Sequence, residues 1–196
     1  MKYTWPSMFL KPKLKKLTDH ELISRISKGD EDAFAMLLNR YQKGVYRFAY
    51  QFFGNAAEAF DIAQETFLRV YELSSGFHSK GSVRFLIMRI AKNLCIDFAR
   101  RKKPVFMDNP PDETNGETSC SALLKKEVSN MLAAAVQELP ENQRTAVLLR
   151  HIEEMRYAEI AEVMDTSVGA VESLLVRARK TLKNRMDALE YVYDEK

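Results

Sequence analysis

Two groups of side chains in this sequence have residue types and spacings suited to chemistry, and the first group is acidic. Glu58, Asp61 and Glu65 follow one another at spacings of three and four residues, so a helix would bring their carboxylates together. Paired carboxylates can act as general acid and base or bind a metal ion, although no histidine joins them in a Glu-x-x-His pattern. The histidines are scattered, at His20, His78 and His151. A small helical hydrolase or metal enzyme is therefore one alternative, and it predicts bound metal.

The second group is basic and lies near the C-terminus. Between residues 168 and 186 the cations are Arg177, Arg179, Lys180, Lys183 and Arg185. The segment before them is acidic, with Glu153, Glu154, Glu159, Glu162 and Asp165. Arginine can bond the O6 and N7 atoms of guanine, and basic side chains hold phosphate. Basic helix ends also complement the helix dipole or form solvated faces, so the charge run alone leaves both interpretations open.

A helix-turn-helix pattern around these cations favours DNA binding. Apolar residues between Ile160 and Val171 mark the contact of two short helices, and residues 165–167 supply the turn. Thr166 or Ser167 can cap the second helix. Its inward residues would be Val171, Leu175, Ala178 and Leu182. The opposite face would enter a major groove, and the residues predicted to contact duplex DNA are Ser167, Ala170, Glu172, Ser173, Val176, Arg177, Arg179 and Lys180.

The composition indicates a helical protein of the cytoplasm. Thirty basic residues against 27 acidic ones leave a formal net charge of +3, so nucleic-acid binding would depend on local patches. Cys95 and Cys120 lack paired spacing, which favours a reducing compartment over a disulfide framework or a zinc site. The N-terminal residues do not resemble a signal peptide, and no apolar run is long enough to span a membrane. We therefore expect no metal, no other cofactor and no membrane insertion.

Helical periodicity divides the chain into two parts. Thr18 and Asn55 each begin a predicted capping box, and one apolar stripe runs from Phe34 to Phe52. Prolines and acids without periodicity from Pro104 to Cys120 indicate a linker. The predicted fold is all-α, with two small helical domains joined by a flexible linker. The predicted division is 1–17 as an N-terminal extension, 18–103 as the first domain, 104–120 as the linker, 121–190 as the second domain and 191–196 as a tail.

A second basic patch lies on the helix predicted from about Val83 to Arg100. Its cations include Arg84, Arg89, Lys92, Arg100 and Arg101. Two separated basic patches joined by a linker suggest two DNA contacts with an adjustable span. A self-sufficient helix-turn-helix regulator that binds an operator as a dimer is the alternative, and it leaves this second patch unexplained.

Three stretches of the chain carry a family resemblance. They are DIAQETFLRVYE, VRFLIMRIAKNLCIDFARR and LPENQRTAVLLRHIEEMRYAEIAEVMDTSVGAVESLLVRARKTL. In this order they resemble regions 2.2, 2.3 to 2.4, and 4.1 to 4.2 of bacterial extracytoplasmic-function sigma factors. The resemblance implies a subunit that performs no chemistry itself, binds core RNA polymerase, recognises the −35 and −10 promoter elements and helps to melt the latter.

The resemblance also implies a role for particular residues. The surface for core polymerase falls on Asp61, Gln64, Glu65 and Leu68. The −35 element would be bound as duplex by the residues already predicted on the second helix of the helix-turn-helix. The −10 element would be captured as a single strand with flipped bases by Phe77, Arg84, Arg89, Lys92, Asn93 and Arg100. Sigma factors of this type are often held inactive by an anti-sigma protein, so we expect such a partner.

This chain departs from the family pattern at two positions. Leu86 occupies a position where the family usually has tryptophan, in the segment FLIMRIA. Leu174 replaces what is often an arginine of the recognition helix, which would remove one phosphate contact. The first departure affects packing or strand capture, and the second suggests an unusual −35 sequence.

Overall fold

Helices make up all the regular structure of the residues that this computed structural model describes, which are 17–76, 81–101 and 130–194, without the side chains of 186 and 188–194. The helices are α1 (Asp19–Ile26), α2 (Glu31–Phe53), α3 (Ala56–Ser74), α4 (Val83–Arg101), α5 (residues 130–137), α6 (Glu141–His151), α7 (Tyr157–Met164) and α8 (Val168–Asp194). The all-α prediction is confirmed. The predicted linker at 104–120 and the N-terminal extension as far as residue 16 lie outside the described residues, and the domain limits stay predictions.

Local sequence signals decide where the first helices begin and end. The Glu21 backbone N–H donates to Thr18 Oγ1 at 3.3 Å and the Thr18 N–H donates to Glu21 Oε2 at 2.6 Å, so this capping box is confirmed. The side chain of Asn55 accepts from two backbone N–H groups in the first turn of α3, at 2.9 and 3.1 Å. Gly54 ends α2 with a φ of 72°, a conformation that favours glycine. These signals determine where α3 begins and turns back along α2.

The first helical unit, α1–α4, packs around the apolar stripe of α2. Leu37, Val45, Phe48 and Phe52 are fully buried, as the spacing along α2 predicted. Each large apolar side chain that is fully buried contributes on the order of 1.5–3 kcal/mol to stability. Burial of this stripe therefore fixes α3 and α4 against α2.

The second helical unit, α5–α8, contains the helix-turn-helix. Asp165 closes α7 in the left-handed conformation, with a φ of 53° and a ψ of 55°, which aspartate tolerates better than most residues. The Thr166 N–H donates to the Ala161 carbonyl at 2.9 Å, and Ser167 Oγ caps α8 by accepting from the Ala170 N–H at 3.2 Å. The turn therefore lies at residues 165–167 as predicted. Pro140 precedes α6 as its N-cap.

The two helical units pack directly against each other, α2 against α6 and α4 against α7. The guanidinium of Arg144 on α6 lies 4.7 Å from the centre of the Phe52 ring and donates to the Phe52 carbonyl at 3.0 Å. Buried residues of both units form one continuous hydrophobic cluster. In this structure the two units are in contact, whereas the sequence predicted two domains joined by a flexible linker, with an adjustable span between their DNA contacts.

Candidate nucleic-acid and polymerase surfaces

The first turns of α8 have a buried face and an exposed face. Val171, Leu175 and Ala178 are buried with at most 6% of their surface exposed, and Leu182 packs against the same core. The predicted duplex contacts lie on the other side and are exposed except for the half-buried Ala170: Ser167, Ala170, Glu172, Ser173, Val176, Arg177, Arg179 and Lys180. Val176 is the most exposed large apolar residue among them, at 61%. This face has the shape and exposure that entry into a major groove requires.

Two cations of α8 also border an apolar groove. The groove has a volume of about 690 Å³ and lies between α5, α6 and α8. Arg179 and Lys183 stand at its edge, with Leu132 of α5 and Val147 of α6 among its apolar walls. Arg185 pairs with Glu138, so this last cation of the run has a partner within the protein.

The basic residues of α4 contact the second helical unit. Arg84 Nη2 donates to the Glu153 carbonyl and lies 3.4 Å from Glu153 Oε2, and Arg89 Nη2 donates to the Glu162 carbonyl at 2.7 Å. Arg100 Nε lies 3.6 Å from a carboxylate oxygen of Glu141. Asn93 is exposed, and Phe77 lies outside the described residues. Four of the six residues predicted to bind the −10 strand therefore stand at or beside an interface within the protein: Arg84, Arg89, Lys92 and Arg100.

Lys92 lies in the same interface. Burial, and then the charge of Arg89, lower the pKa of Lys92, while Asp165 and Asp97 act in the opposite direction. Asp165 belongs to the turn of the helix-turn-helix, so the charge at the end of α7 acts on the basic patch of α4. We call the contacts of Arg84 and Arg89 with Glu153 and Glu162, together with those that Arg47 makes to Ile152 and Glu153, the interdomain clasp.

The predicted polymerase surface on α3 forms one shallow groove. Asp61 and Gln64 are exposed, Glu65 is half-buried and Leu68 is 52% exposed. With apolar side chains of α2 they line a groove of about 450 Å³, whose other members are Phe34, Leu38 and Phe67. Tyr71 extends the apolar rim and packs edge-to-face on Phe34 at 5.5 Å. Anionic groups beside an apolar anchor suit the docking of a helix that carries basic and apolar residues.

Comparison with known proteins identifies the family. Residues 37–105 match the family model for Sigma-70 region 2, and residues 129–182 match that for Sigma-70, region 4. The chain is 34% identical over 176 residues to the ECF RNA polymerase sigma factor SigW of Bacillus subtilis, covering 84% of this chain and 94% of that protein. The chain belongs to the extracytoplasmic-function RNA polymerase sigma factors. It is also 30% identical over 186 residues to the ECF RNA polymerase sigma-E factor of Escherichia coli, covering 89% of this sigma factor and 97% of that one.

Solved structures agree with the fold of this sigma factor. CnrH in complex with the cytosolic domain of CnrY matches with a TM-score of 0.68 and 25% identity, covering 87% of this chain and 97% of CnrH. The sigma factor RpoE of Bartonella quintana, solved with the anti-sigma factor NepR, shares the fold, with a TM-score of 0.63 and 17% identity over 79% of this chain and 96% of that chain. CnrH was therefore solved with the cytosolic domain of CnrY bound, and RpoE with an anti-sigma factor bound.

The interdomain clasp was missed by sequence reasoning. Arg47 of this sigma factor donates to the Ile152 carbonyl at 2.7 Å and lies 3.5 Å from Glu153 Oε1. The only signal in the sequence is the acidic segment before the C-terminal cations. Local periodicity places each charge on a helix face but does not show which faces meet across about a hundred residues.

The alternative of a metal enzyme finds no support in the described part of this sigma factor. Over residues 17–76, 81–101 and 130–194, no three His, Cys, Asp or Glu side chains are grouped in a way that could hold a metal ion. Glu58, Asp61 and Glu65 therefore do not form such a group. None of the described helices combines the length and apolar content needed to cross a bilayer.

Proposed function

We propose that this sigma factor divides promoter recognition between its two helical units. The exposed face of α8 binds the −35 element as duplex, α4 holds the −10 element as a single strand, and the α3 groove binds core RNA polymerase. The observation that carries the proposal is the division of α8: Val171 and Ala178 fix one face in the core, and the predicted contact residues occupy the other.

The chemistry of α8 suits direct recognition of base pairs. Arg177 can donate to guanine O6 and N7, and the Glu172 carboxylate can accept from the N4 amino group of cytosine. Val176 offers an apolar contact to a thymine methyl group, since its side chain is largely exposed. Arg179 and Lys180 on the next turn supply phosphate contacts, which set the register of the helix on the duplex.

The chemistry of α4 suits a melted strand. Arg84, Arg89, Lys92 and Arg100 provide backbone charge along one helix, and Asn93 adds an amide that can bond a base edge. Unstacking a base costs a few kcal/mol, so capture of flipped bases must offset that cost for melting to proceed. Phe77 remains a predicted stacking platform.

The α3 groove supplies attachment to the polymerase. Asp61 and Glu65 offer negative charge and Leu68 offers an apolar anchor on the same face of the helix, so a helix of the polymerase with basic and apolar side chains would fit. The polymerase performs the synthesis, and we infer that the sigma factor catalyses nothing and acts in the cytoplasm. CnrH and RpoE were solved with CnrY and the anti-sigma factor NepR, and we propose an anti-sigma protein for this chain as well.

The proposal is tested by retention of randomised DNA duplexes with and without the cognate core polymerase. We expect sequence-specific retention only when both proteins are present, because α3 must engage the polymerase before both promoter elements are held. Specific retention by the chain alone, as a dimer, would instead indicate the stand-alone regulator. The comparisons do not favour that regulator, since both sigma-70 regions match.

A further inference from the structure

The α3 groove joins apolar walls to acidic side chains. Asp61 and Glu65 supply the charge, and the apolar members come from both α2 and α3: Phe34, Leu38, Phe67 and Leu68. The volume of about 450 Å³ lies within the usual range of ligand pockets, about 300–1,000 Å³, so the groove can hold a few side chains. Exposed apolar surface bordered by polar groups marks an interaction site. The occupant that suits this groove carries basic and apolar side chains.

Residues 1–16 of this chain have that chemistry. The segment MKYTWPSMFLKPKLKK contains five lysines and no acidic residue, and its apolar side chains include Trp5 and Phe9. Pro6 and Pro12 disfavour a helix through the segment, because proline has no N–H to donate and restricts the residue before it. An extended peptide of this kind can place apolar side chains in a groove while its lysines meet the carboxylates beside them.

The described chain begins within reach of the groove. Arg40 Nη2 of α2 donates to the Leu17 carbonyl at 2.7 Å. Leu17 packs against the same core as Phe34 and Leu38, which line the groove. A helix with its side chains is about 10–12 Å across, so Leu17 lies on the order of 20 Å from the groove. The extended chain from Leu17 back to Phe9 spans up to about 26 Å, which is long enough to reach it.

We propose that residues 5–14 bind in the α3 groove of the free sigma factor, with their aromatic side chains against Leu68 and their lysines beside Asp61 and Glu65. The segment and core polymerase then compete for one surface. This competition rests on the proposed role of the groove in polymerase binding, whereas the docking of the segment does not. The N-terminal extension thereby sets how readily the sigma factor joins the polymerase.

Attachment to the same chain makes even a weak contact effective. A short flexible connection gives a tethered segment an effective concentration on the order of millimolar. A segment that would bind as a free peptide with a Kd of about 0.1 mM would therefore occupy the groove in roughly nine of ten molecules. A partner with a much higher affinity still displaces the segment, so polymerase binding is weakened and not blocked.

Lysines beside aromatic residues also suit single-stranded nucleic acid, which offers phosphates and base faces. The groove is favoured as the occupied site because its acids and apolar walls belong to the helical unit that the segment is attached to. The two occupants predict different states of the free protein. A nucleic-acid arm would leave Trp5 in solvent until nucleic acid is added, whereas docking shields Trp5 in the purified protein. Trp5 is the only tryptophan in the sequence, so its fluorescence reports on this segment alone.

The test follows the emission of Trp5 and its quenching by acrylamide in full-length variants. We expect the wild-type protein, free of nucleic acid and polymerase, to show blue-shifted emission and slow quenching, because the groove shields the indole. Leu68→Lys removes the apolar anchor and adds a charge of the same sign as the segment, so emission should shift to the red and quenching should increase. Leu73→Lys is the matched control and should change neither, because Leu73 is 50% exposed on the same helix but does not line the groove.

Affinity for core polymerase tests the competition. Phe9→Ser removes an apolar contact from the docked segment and leaves the groove unchanged. We expect this variant to expose Trp5 and to bind core polymerase about threefold more tightly or better, because apparent affinity scales with the fraction of molecules whose groove is open. Tyr3→Ser is the control, because it removes an aromatic residue of the extension outside residues 5–14 and should alter neither measurement.

Two results would overturn the proposal, and they separate its failure from that of the proposed function. If Trp5 is exposed to solvent in the free wild-type protein, whether or not added DNA then protects it, the segment does not dock, and the polymerase surface on α3 is unaffected. If Trp5 is shielded and Leu68→Lys exposes it, but Phe9→Ser leaves polymerase affinity unchanged, the segment docks without competing. The proposed binding of polymerase in the α3 groove then fails with the competition.

Discussion

The guanidinium of Arg144 lies 4.7 Å from the centre of the Phe52 ring and also donates to the Phe52 carbonyl, so one side chain joins the cores of the two helical units. A second hydrogen bond from Arg144 reaches the Leu139 carbonyl at 3.0 Å, at the entry to α6. Burial lowers the pKa of Arg144, but arginine remains charged at any ordinary pH. The interface thus contains a cation held by a ring face and two carbonyls.

Replacing Arg144 with alanine should destabilise the protein. The change removes a desolvated cation–π contact and leaves two buried carbonyls without their donor, so we expect the free energy of unfolding to fall by about 2–4 kcal/mol. Urea denaturation measures this. Arg69→Ala is the control, because Arg69 forms an exposed pair with Glu65 on the same helix, and the loss of that pair should cost less than about 0.5 kcal/mol. Equal effects of the two substitutions would contradict the role given to Arg144.

Replacing Leu68 with alanine should weaken polymerase binding selectively. Leu68 and Leu73 lie on α3 with 52% and 50% of their surfaces exposed, but only Leu68 lines the groove with Asp61 and Glu65. We expect Leu68→Ala to lower affinity for core polymerase by about tenfold, the effect of losing one apolar anchor worth roughly 1.4 kcal/mol. Leu73→Ala should leave affinity nearly unchanged. Surface plasmon resonance with immobilised core enzyme compares them, and a larger effect of Leu73→Ala would place the contact elsewhere.

Replacing Arg177 with alanine should weaken recognition of the −35 element. One bidentate contact to guanine contributes about 1–3 kcal/mol of discrimination, so transcription from a consensus promoter should fall by roughly tenfold or more. Lys28→Ala removes an exposed cation after α1, far from α8 in sequence, and should have little effect. The wild-type protein should prefer the consensus promoter to one that is changed at the base that Arg177 contacts. The Arg177→Ala protein should show no such preference. Unchanged base preference would assign Arg177 to phosphate contact only.

Stability should fall in alkaline solution because of two acidic groups, the buried thiol of Cys95 and the half-buried hydroxyl of Tyr41. Burial raises the pKa of Cys95 above its ordinary 9.0, and burial followed by the hydrogen bond to Asp19 raises the pKa of Tyr41 above its ordinary 10.0. The folded state keeps these protons while the unfolded state releases them. The stabilisation is therefore complete below about pH 9 and is lost as pH rises toward the folded-state pKa values.

Tyr41→Phe isolates one part of this pH dependence. The variant loses the hydroxyl that donates to Asp19, so its unfolding free energy should fall less steeply with pH above 10 than that of the wild-type protein. Denaturation by urea across the alkaline range gives both slopes. Comparing slopes instead of absolute values separates titration from the loss of the hydrogen bond itself. Identical slopes would show that Tyr41 ionises normally in the folded protein.

Local features of this fold were predictable because they depend on neighbours in sequence. The capping residues Thr18 and Asn55, the stripe along α2 and the turn at Asp165 all follow from spacing and backbone preference. The same holds for the exposed face of α8, since burial of Val171 and Leu175 determines which residues face outward. These elements position the predicted duplex contacts.

Contacts between the two units were not predictable from the same patterns. Arg84 and Glu153 are 69 residues apart, and each appears in the sequence as an ordinary charge on a helix face. Arg144 follows a proline and three polar residues in PENQR, where an exposed side chain is expected, yet it contacts Phe52 across the interface. Gly44 gave no signal at all, because its role is to leave space for Glu153. Such pairings depend on how two surfaces meet.

The most direct test of the proposed function is transcription from a library of randomised promoters by cognate core polymerase with the purified full-length chain. We expect initiation on a subset of promoters that share two elements at a fixed spacing, and we expect it to be lost without the chain and strongly reduced with Leu68→Ala or Arg177→Ala. Folded, monomeric chain that binds the polymerase but selects no promoter, or specific DNA binding that needs no polymerase, would contradict it.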